Sequence, residues 1–325
     1  TAFLVISAAS NPGAPADVET IRASIAKSIA FLKEHHKPRD GYDGGSHGVG
    51  TAGLAGLALL EAGVPADDPA VSNIASYVRK YGLNETKTYE LSLALMFLDR
   101  LGDREDRPFI QVMGVRLLAG QTPTGGWSYF CGAALNAREG AHLRTAFQNA
   151  KLISPDVKAD PPKKPLMFEP RQDLPIDPKA PPPKFEPKKP GRPIPTAKAA
   201  EKSSLHPEIV RWIRTIDPEA NDDPLLFAGG DNSNTQFALL ALWCARKHGV
   251  PCDNALALAE KRFRATMNPD GGWGYMPPSL GLLENSTPTM TCAGVVALVV
   301  GHGQREQALR NRPDAALASK QADPN

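Results

Sequence analysis

The residues of this chain that could do chemistry are few, and most stand just ahead of long runs rich in Ala and Leu. His47, Thr51, Glu90, Asp231, Asn234, Gln236 and Thr289 occupy such places, with Tyr89 and Phe237 beside them. If those runs are helices grouped around a common centre, their first turns aim these side chains at it. Carboxylates, amides, hydroxyls and two aromatic rings would then suit a ligand with an apolar body and a few polar handles. The same residue types have a plainer use. In "GGDNSNTQ", ending at Gln236, Asp, Asn and Ser can satisfy the free N–H groups that open a helix. Similar capping chemistry recurs in "NETKT" and "ENSTPT" ahead of other runs.

Other chemistries have less material. Cys131, Cys244, Cys252 and Cys292 are scattered, with no CxxC pair, and read as small core residues rather than a disulfide framework or a zinc site. Asp67-Asp68 and Asp222-Asp223 are short acidic pairs of the kind turns contain, not magnesium motifs. No residue pattern asks for a metal or a cofactor. A formal charge of +2, from 37 basic and 35 acidic residues, comes without a basic stripe and argues against a nucleic-acid partner. No stretch approaches the roughly 20 apolar residues of a membrane span. The opening "TAFLVISAAS" has small residues at Ser7, Ala8 and Ala9 and resembles the end of a cleaved signal segment. That leans towards export, periplasmic or extracellular, with the cytoplasm as the other reading.

The elements that must position these residues are helices. Thr88, Thr235 and Thr291 each stand six residues before an Ala-Leu pair, and "TAGLAGLALLEAGV" from Thr51 is a looser copy. The runs they open are apolar nearly all round, as in helices buried on most faces. Between them lie helices with one apolar stripe and one wet face. One is "VETIRASIAKSIAFLKEHHK", with Ile21, Ile25, Ile29 and Leu32 at helical spacing; others are "AVSNIASYVRKYG", "RPFIQVMGVRLLAG" and "NALALAEKRFRATM". Alternation of buried and amphipathic helices predicts a double layer of helical hairpins, about four inner helices and five outer ones.

Each unit closes on a repeated block. "TPTGGWSY" ends at Tyr129 and "NPDGGWGY" at Tyr275. Thr88 to Trp127 is 39 residues and Thr235 to Trp273 is 38, so the spacing matches at both ends. "GYDGGSHG" near His47 is a degenerate copy with Ser46 in place of the tryptophan. The composition divides the chain into residues 1–16, a signal remnant or disordered N-terminus; 17–150, a first set of repeats; 151–204, a proline-rich mobile insert; and 205–325, a second set. The insert cannot build a core, and its PxxP spacings could serve a protein partner with an aromatic-lined groove. "HPEIVRWIRTI" from His206 is expected to bring the chain back onto the body as a short helix with Trp212 on its apolar side.

Alternating inner and outer helices closed by Gly-Gly-Trp turns resemble the squalene cyclase and protein prenyltransferase superfamily of α/α-toroids. Leu117, Gln121, Gly125 and Trp127 match the aromatic-or-Leu, Gln, Gly-x-Trp repeat of the cyclases; the second block keeps Phe263, Gly271 and Trp273 but has Met267 for the glutamine. The resemblance covers most of the chain outside the insert. It implies an all-α, toroid-like double layer, its ring open or completed by something outside this chain. Gln121, Gly125, Gly126, Trp127, Gly271, Gly272 and Trp273 are then structural staples. The cyclase acid motif, Asp-x-Asp-Asp-Thr-Ala, falls on "DNSNTQ": Asp231 and Thr235 match, whereas Ser233 and Asn234 stand where the proton donor and its partner belong. The Asp-x-Cys of the zinc prenyltransferases is absent. The expectation is a toroid that binds an apolar, isoprenoid-like ligand or a peptide in its concave centre without the usual acid. The alternative is an active terpene cyclase whose acid is Asp231 or lies in a repeat outside this chain.

Overall fold

A computed structural model of the protein describes residues 17–36, 48–131, 145, 205–214, 230–278 and 284–310. The N-terminal segment, the "GYDGGSHG" copy with His47, and the proline-rich insert lie outside the described residues. All regular elements among the described residues are helical. The nine α-helices are α1 (Val18–His35), α2 (Gly48–Glu61), α3 (Pro69–Tyr81), α4 (Thr88–Leu101), α5 (Arg107–Ala119), α6 (Pro207–Arg214), α7 (Asn232–Arg246), α8 (Asp253–Ala265) and α9 (Pro288–Arg310). None of the described helices is long and apolar enough to cross a membrane.

The runs rich in Ala and Leu form a row. α2 lies on α4, α4 on α7 and α7 on α9, so each inner helix has an inner helix for a neighbour. Small residues let the first pair close up. A Cβ added at Gly53 would meet the backbone of Leu93 at 2.9 Å. α3 packs on α2, α5 on α4 and α7, and α8 on α7 and α9, which supplies the outer layer. The core between the layers is continuous, from Ile74 and Leu91 through Met113, Leu239 and Leu256 to Trp273.

Two outer helices differ from their periodicity. α5 is buried from Ile110 to Ala119, its polar residues included. Its remaining face is met by the start of α6 and the residues just before it: Leu205 and Ile209 join the core, and Gln111 accepts the His206 N–H at 3.0 Å and donates to the His248 carbonyl at 2.7 Å. Arg116 is buried too, with Nη1 on the Leu83 carbonyl at 2.8 Å. α1 shows the opposite departure. Ile29 and Leu32 pack against the core, but Ile21 and Ile25 are exposed, because among the described elements α1 meets chiefly α2.

The threonine spacing also resolves into two roles. Thr235 and Thr291 are the fourth residues of α7 and α9, whereas Thr88 is the first residue of α4. From the first helical residue to the tryptophan is 39 residues in one unit and 41 in the other, so the Thr88 match in the sequence is one of spacing and not of place.

Candidate functional site

The two Gly-Gly-Trp blocks sit beside the first turns of the inner helices and are wired alike. The Trp127 N–H donates to Thr235 Oγ1 at 3.0 Å, and the Trp273 N–H to Thr291 Oγ1 at 3.3 Å. Each indole Nε1 donates to the carbonyl ten residues earlier, Leu117 at 2.6 Å and Phe263 at 2.9 Å. The carbonyls of Trp127 and Trp273 accept the N–H of Asp231 and of Thr287. Two residues on, the carbonyls of Tyr129 and Tyr275 accept the N–H of Thr88 and Asn232, the first residues of α4 and α7. Each block therefore lies between successive inner helices and bonds to both. Trp127 and Trp273 are almost wholly buried.

Asp231 is buried and caps α7. Its Oδ1 accepts the Asn234 N–H at 2.7 Å and its Oδ2 the Asn234 side-chain amide at 2.8 Å. Both oxygens act as acceptors, the arrangement of a helix cap. Arg262 lies close by, buried, with Nη2 on the Gly230 carbonyl at 3.0 Å and on Asn232 Oδ1 at 3.2 Å. Burial lowers its guanidinium to about 10, while the Asp231 charge pulls the other way. Nothing in the sequence pointed to Arg262 except a charge on an otherwise apolar side of α8.

The other expected site residues separate into two groups. Glu90 and Asn234 are completely buried between helices. Glu90 accepts the Gly50 N–H at 2.5 Å and ties α4 to α2. Asn234 is spent on Asp231. Neither faces an open surface. Thr51, Tyr89, Gln236, Phe237 and Thr289 do keep exposure. Capping at α4 differs from expectation: Lys87 precedes it without a side-chain cap, and Glu85 instead accepts the N–H groups of Thr86 and Lys87. At α9, Thr287 Oγ1 accepts the Met290 N–H at 3.3 Å.

The exposed residues of the inner helices fall on one face. On α7 the partly exposed Ser233, Gln236, Phe237, Leu240 and Trp243 stand at helical spacing, with buried residues between them. Thr51, Leu54 and Ala58 follow the same spacing on α2, and Cys292, Val295 and Val299 on α9. Leu54 is 55% exposed, Val295 51% and Val299 63%, high values for aliphatic residues on helices that are otherwise core. The middle of the inner row thus presents an apolar face away from the outer layer, and its polar groups gather at the helix starts.

At that end four hydroxyls meet. Tyr89 donates to Ser233 Oγ, its ring tilted against Phe237 with centroids 4.9 Å apart. The Tyr129 and Tyr275 hydroxyls are 2.6 Å apart. Burial raises the pKa of Tyr89, the Ser233 hydrogen bond opposes this, and the Asp231 charge adds to the rise. Tyr275 is raised by burial, by its bond to Tyr129 and by the same Asp231 charge. The phenols of Tyr89 and Tyr275 therefore hold their protons at neutral pH.

At the other end of the row, Asp99 receives His248 Nε2 at 2.8 Å and Lys247 Nζ at 2.7 Å. Cys244 lies near, but burial and then the Asp99 charge push its thiol up to about 12, so it has no thiolate character to use as a nucleophile. Among the described residues no three His, Cys, Asp or Glu side chains come together as a metal site would need. No protein-family model, curated protein or solved structure matches the chain.

Proposed function

We propose that this chain is a helical-hairpin repeat protein of the α/α-toroid kind which binds an apolar, isoprenoid-like ligand on the open face of its inner helices. In this reading it lacks the catalytic acid of the squalene cyclases it resembles. The observation that carries it is the run of exposed aliphatic and aromatic side chains along one face of α2, α7 and α9. Water on such a face is costly: covering a fully exposed Leu, Val or Phe side chain gains about 1.5–3 kcal/mol, so each one a ligand covers adds to its hold. An apolar face left open on helices whose remaining faces are buried is the kind of surface proteins keep for ligands. The capping role of Asp231, with both oxygens accepting, supports binding over catalysis.

The test is incubation of the protein with squalene and oxidosqualene, recovery of the protein, and mass spectrometry of its extract. The expected result is retained, unchanged hydrocarbon. A cyclised product would replace this reading with that of an active cyclase, and Asp231→Asn would then show whether Asp231 is the acid. Neither retention nor turnover would discard the ligand reading and leave a scaffold.

A further inference from the structure

We infer that the hydroxyls of Ser233, Tyr89, Tyr275 and Tyr129 form the head-group end of the apolar face and hold an uncharged oxygen, that of an alcohol or a carbonyl, at one end of an otherwise apolar ligand. This rests on the binding reading above and narrows its ligand class.

The four groups come from four separate segments. Tyr89 and Ser233 are the second residues of α4 and α7, and Tyr129 and Tyr275 each stand two residues after the tryptophan of a block. Equivalent places in successive units therefore deliver a hydroxyl to one spot. The spot adjoins the apolar face, since Tyr89 rests on Phe237 and Ser233 lies one turn before it. It is also reachable: Tyr129 is 52% exposed and the other three are partly so.

The bonding leaves capacity for a ligand. Each hydroxyl has one proton to give and can accept two. Tyr89 gives its proton to Ser233, and Tyr129 and Tyr275 share one between them. The Tyr275 side chain lies near enough to Tyr89 for each to influence the other. The two bonded pairs use two of the four protons and keep two, together with several lone pairs. These groups have no other hydrogen-bond partner among the described residues, so the cluster can donate to a ligand oxygen and accept from a ligand hydroxyl. The local charge selects the head. Asp231 caps α7 two residues before Ser233 and bears on both Tyr89 and Tyr275, so a carboxylate or phosphate there would face a like charge and a neutral oxygen would not.

Equilibrium dialysis of the full chain against farnesol, farnesoic acid and the hydrocarbon farnesene separates the head from the body, because the three share one branched chain. Farnesol is expected to bind about five- to tenfold more tightly than farnesene, the worth of one net hydrogen bond, with farnesoic acid no tighter than farnesene. Tyr275→Phe and Tyr89→Phe keep the rings and remove the hydroxyls. Each should bring farnesol to the farnesene level and leave farnesene unchanged, and that unchanged affinity is the control for folding. A hydroxyl cluster that serves only as a latch would weaken both ligands together or neither. Equal binding of farnesol and farnesene, or tightest binding of farnesoic acid, overturns the head-group inference while the binding reading stands. Binding of none of the three overturns both.

Discussion

The Trp127 and Trp273 blocks share their hydrogen bonds but not their surroundings. At the first, Gln121 donates from Nε2 to the Gly125 carbonyl at 3.3 Å and to the Ala255 carbonyl of α8 at 2.9 Å. At the second, Met267 takes the place of the glutamine and is half exposed. Gly125 has φ 89° and the Leu258 carbonyl oxygen only 2.5 Å from where a Cβ would be; Gly271 has φ 84° with nothing near. The first block is thus pressed against the next outer helix, and the second lies where, among the described residues, no outer helix follows. The glutamine of the motif reaches sideways to the neighbouring unit, and a unit without that neighbour has no carbonyl for it to meet. The Gly-Gly-Trp core closes a unit on itself and on the next inner helix; the glutamine joins outer helix to outer helix.

That contrast can be broken first at the tryptophans. Trp127→Ala should destabilise by about 3–5 kcal/mol and Trp273→Ala by less, as no outer helix presses on the second block among the described residues. Equal losses in chemical denaturation would contradict the distinction between the two blocks. Gly125→Ala should cost about 3 kcal/mol, from strain plus a backbone clash, and Gly271→Ala about 1–2 kcal/mol from left-handed strain alone. Thermal melts of the pair would sharpen the comparison, and a Gly271 variant as damaged as the Gly125 variant would refute it. Thr235→Val leaves a buried Trp127 N–H without its acceptor and should cost about 1–3 kcal/mol; Thr291→Val, with a longer bond, should fall at the low end. Smallest are the exchanges at the glutamine position. Gln121→Met should cost about 1–2 kcal/mol, since two buried carbonyls lose their donor, while Met267→Gln should stay within about 0.5 kcal/mol. A large gain from Met267→Gln would mean that a partner carbonyl is in reach after all.

Much of this arrangement is legible in the sequence. Apolar runs without a wet face mark the inner helices, and the two Gly-Gly-Trp blocks mark the joints, because period and composition report burial directly. What escapes is set by contacts between distant segments. α5 reads as amphipathic, yet the start of α6 and the residues just before it meet its wet face, and Gln111 and Arg116 find internal partners. α1 carries the pattern of a core-facing helix but leaves Ile21 and Ile25 exposed. At the site, the cap at Asp231 follows from local chemistry, whereas Glu90 reads as a cavity residue and is sealed against Gly50. The tyrosine meeting had one available signal, the same place two residues after each tryptophan, but convergence of two such places cannot be read from spacing within either.

The wiring of the blocks also bears on the order in which the chain acquires its structure. Trp273 finds its threonine acceptor 18 residues away, and Trp127 finds its own 108 residues away, across the whole proline-rich stretch. Closing the longer loop costs about 1.6 kcal/mol more in chain entropy, which slows that joint by about an order of magnitude relative to the other. During synthesis the Trp127 indole can already reach Leu117 as soon as its block emerges, but its backbone N–H must wait for α7. Pulse-labelled hydrogen exchange should therefore show the Trp273 amide protected before that of Trp127, and simultaneous protection would mean that the two joints lock in a single step. The half of the molecule made first is in this respect the half completed last.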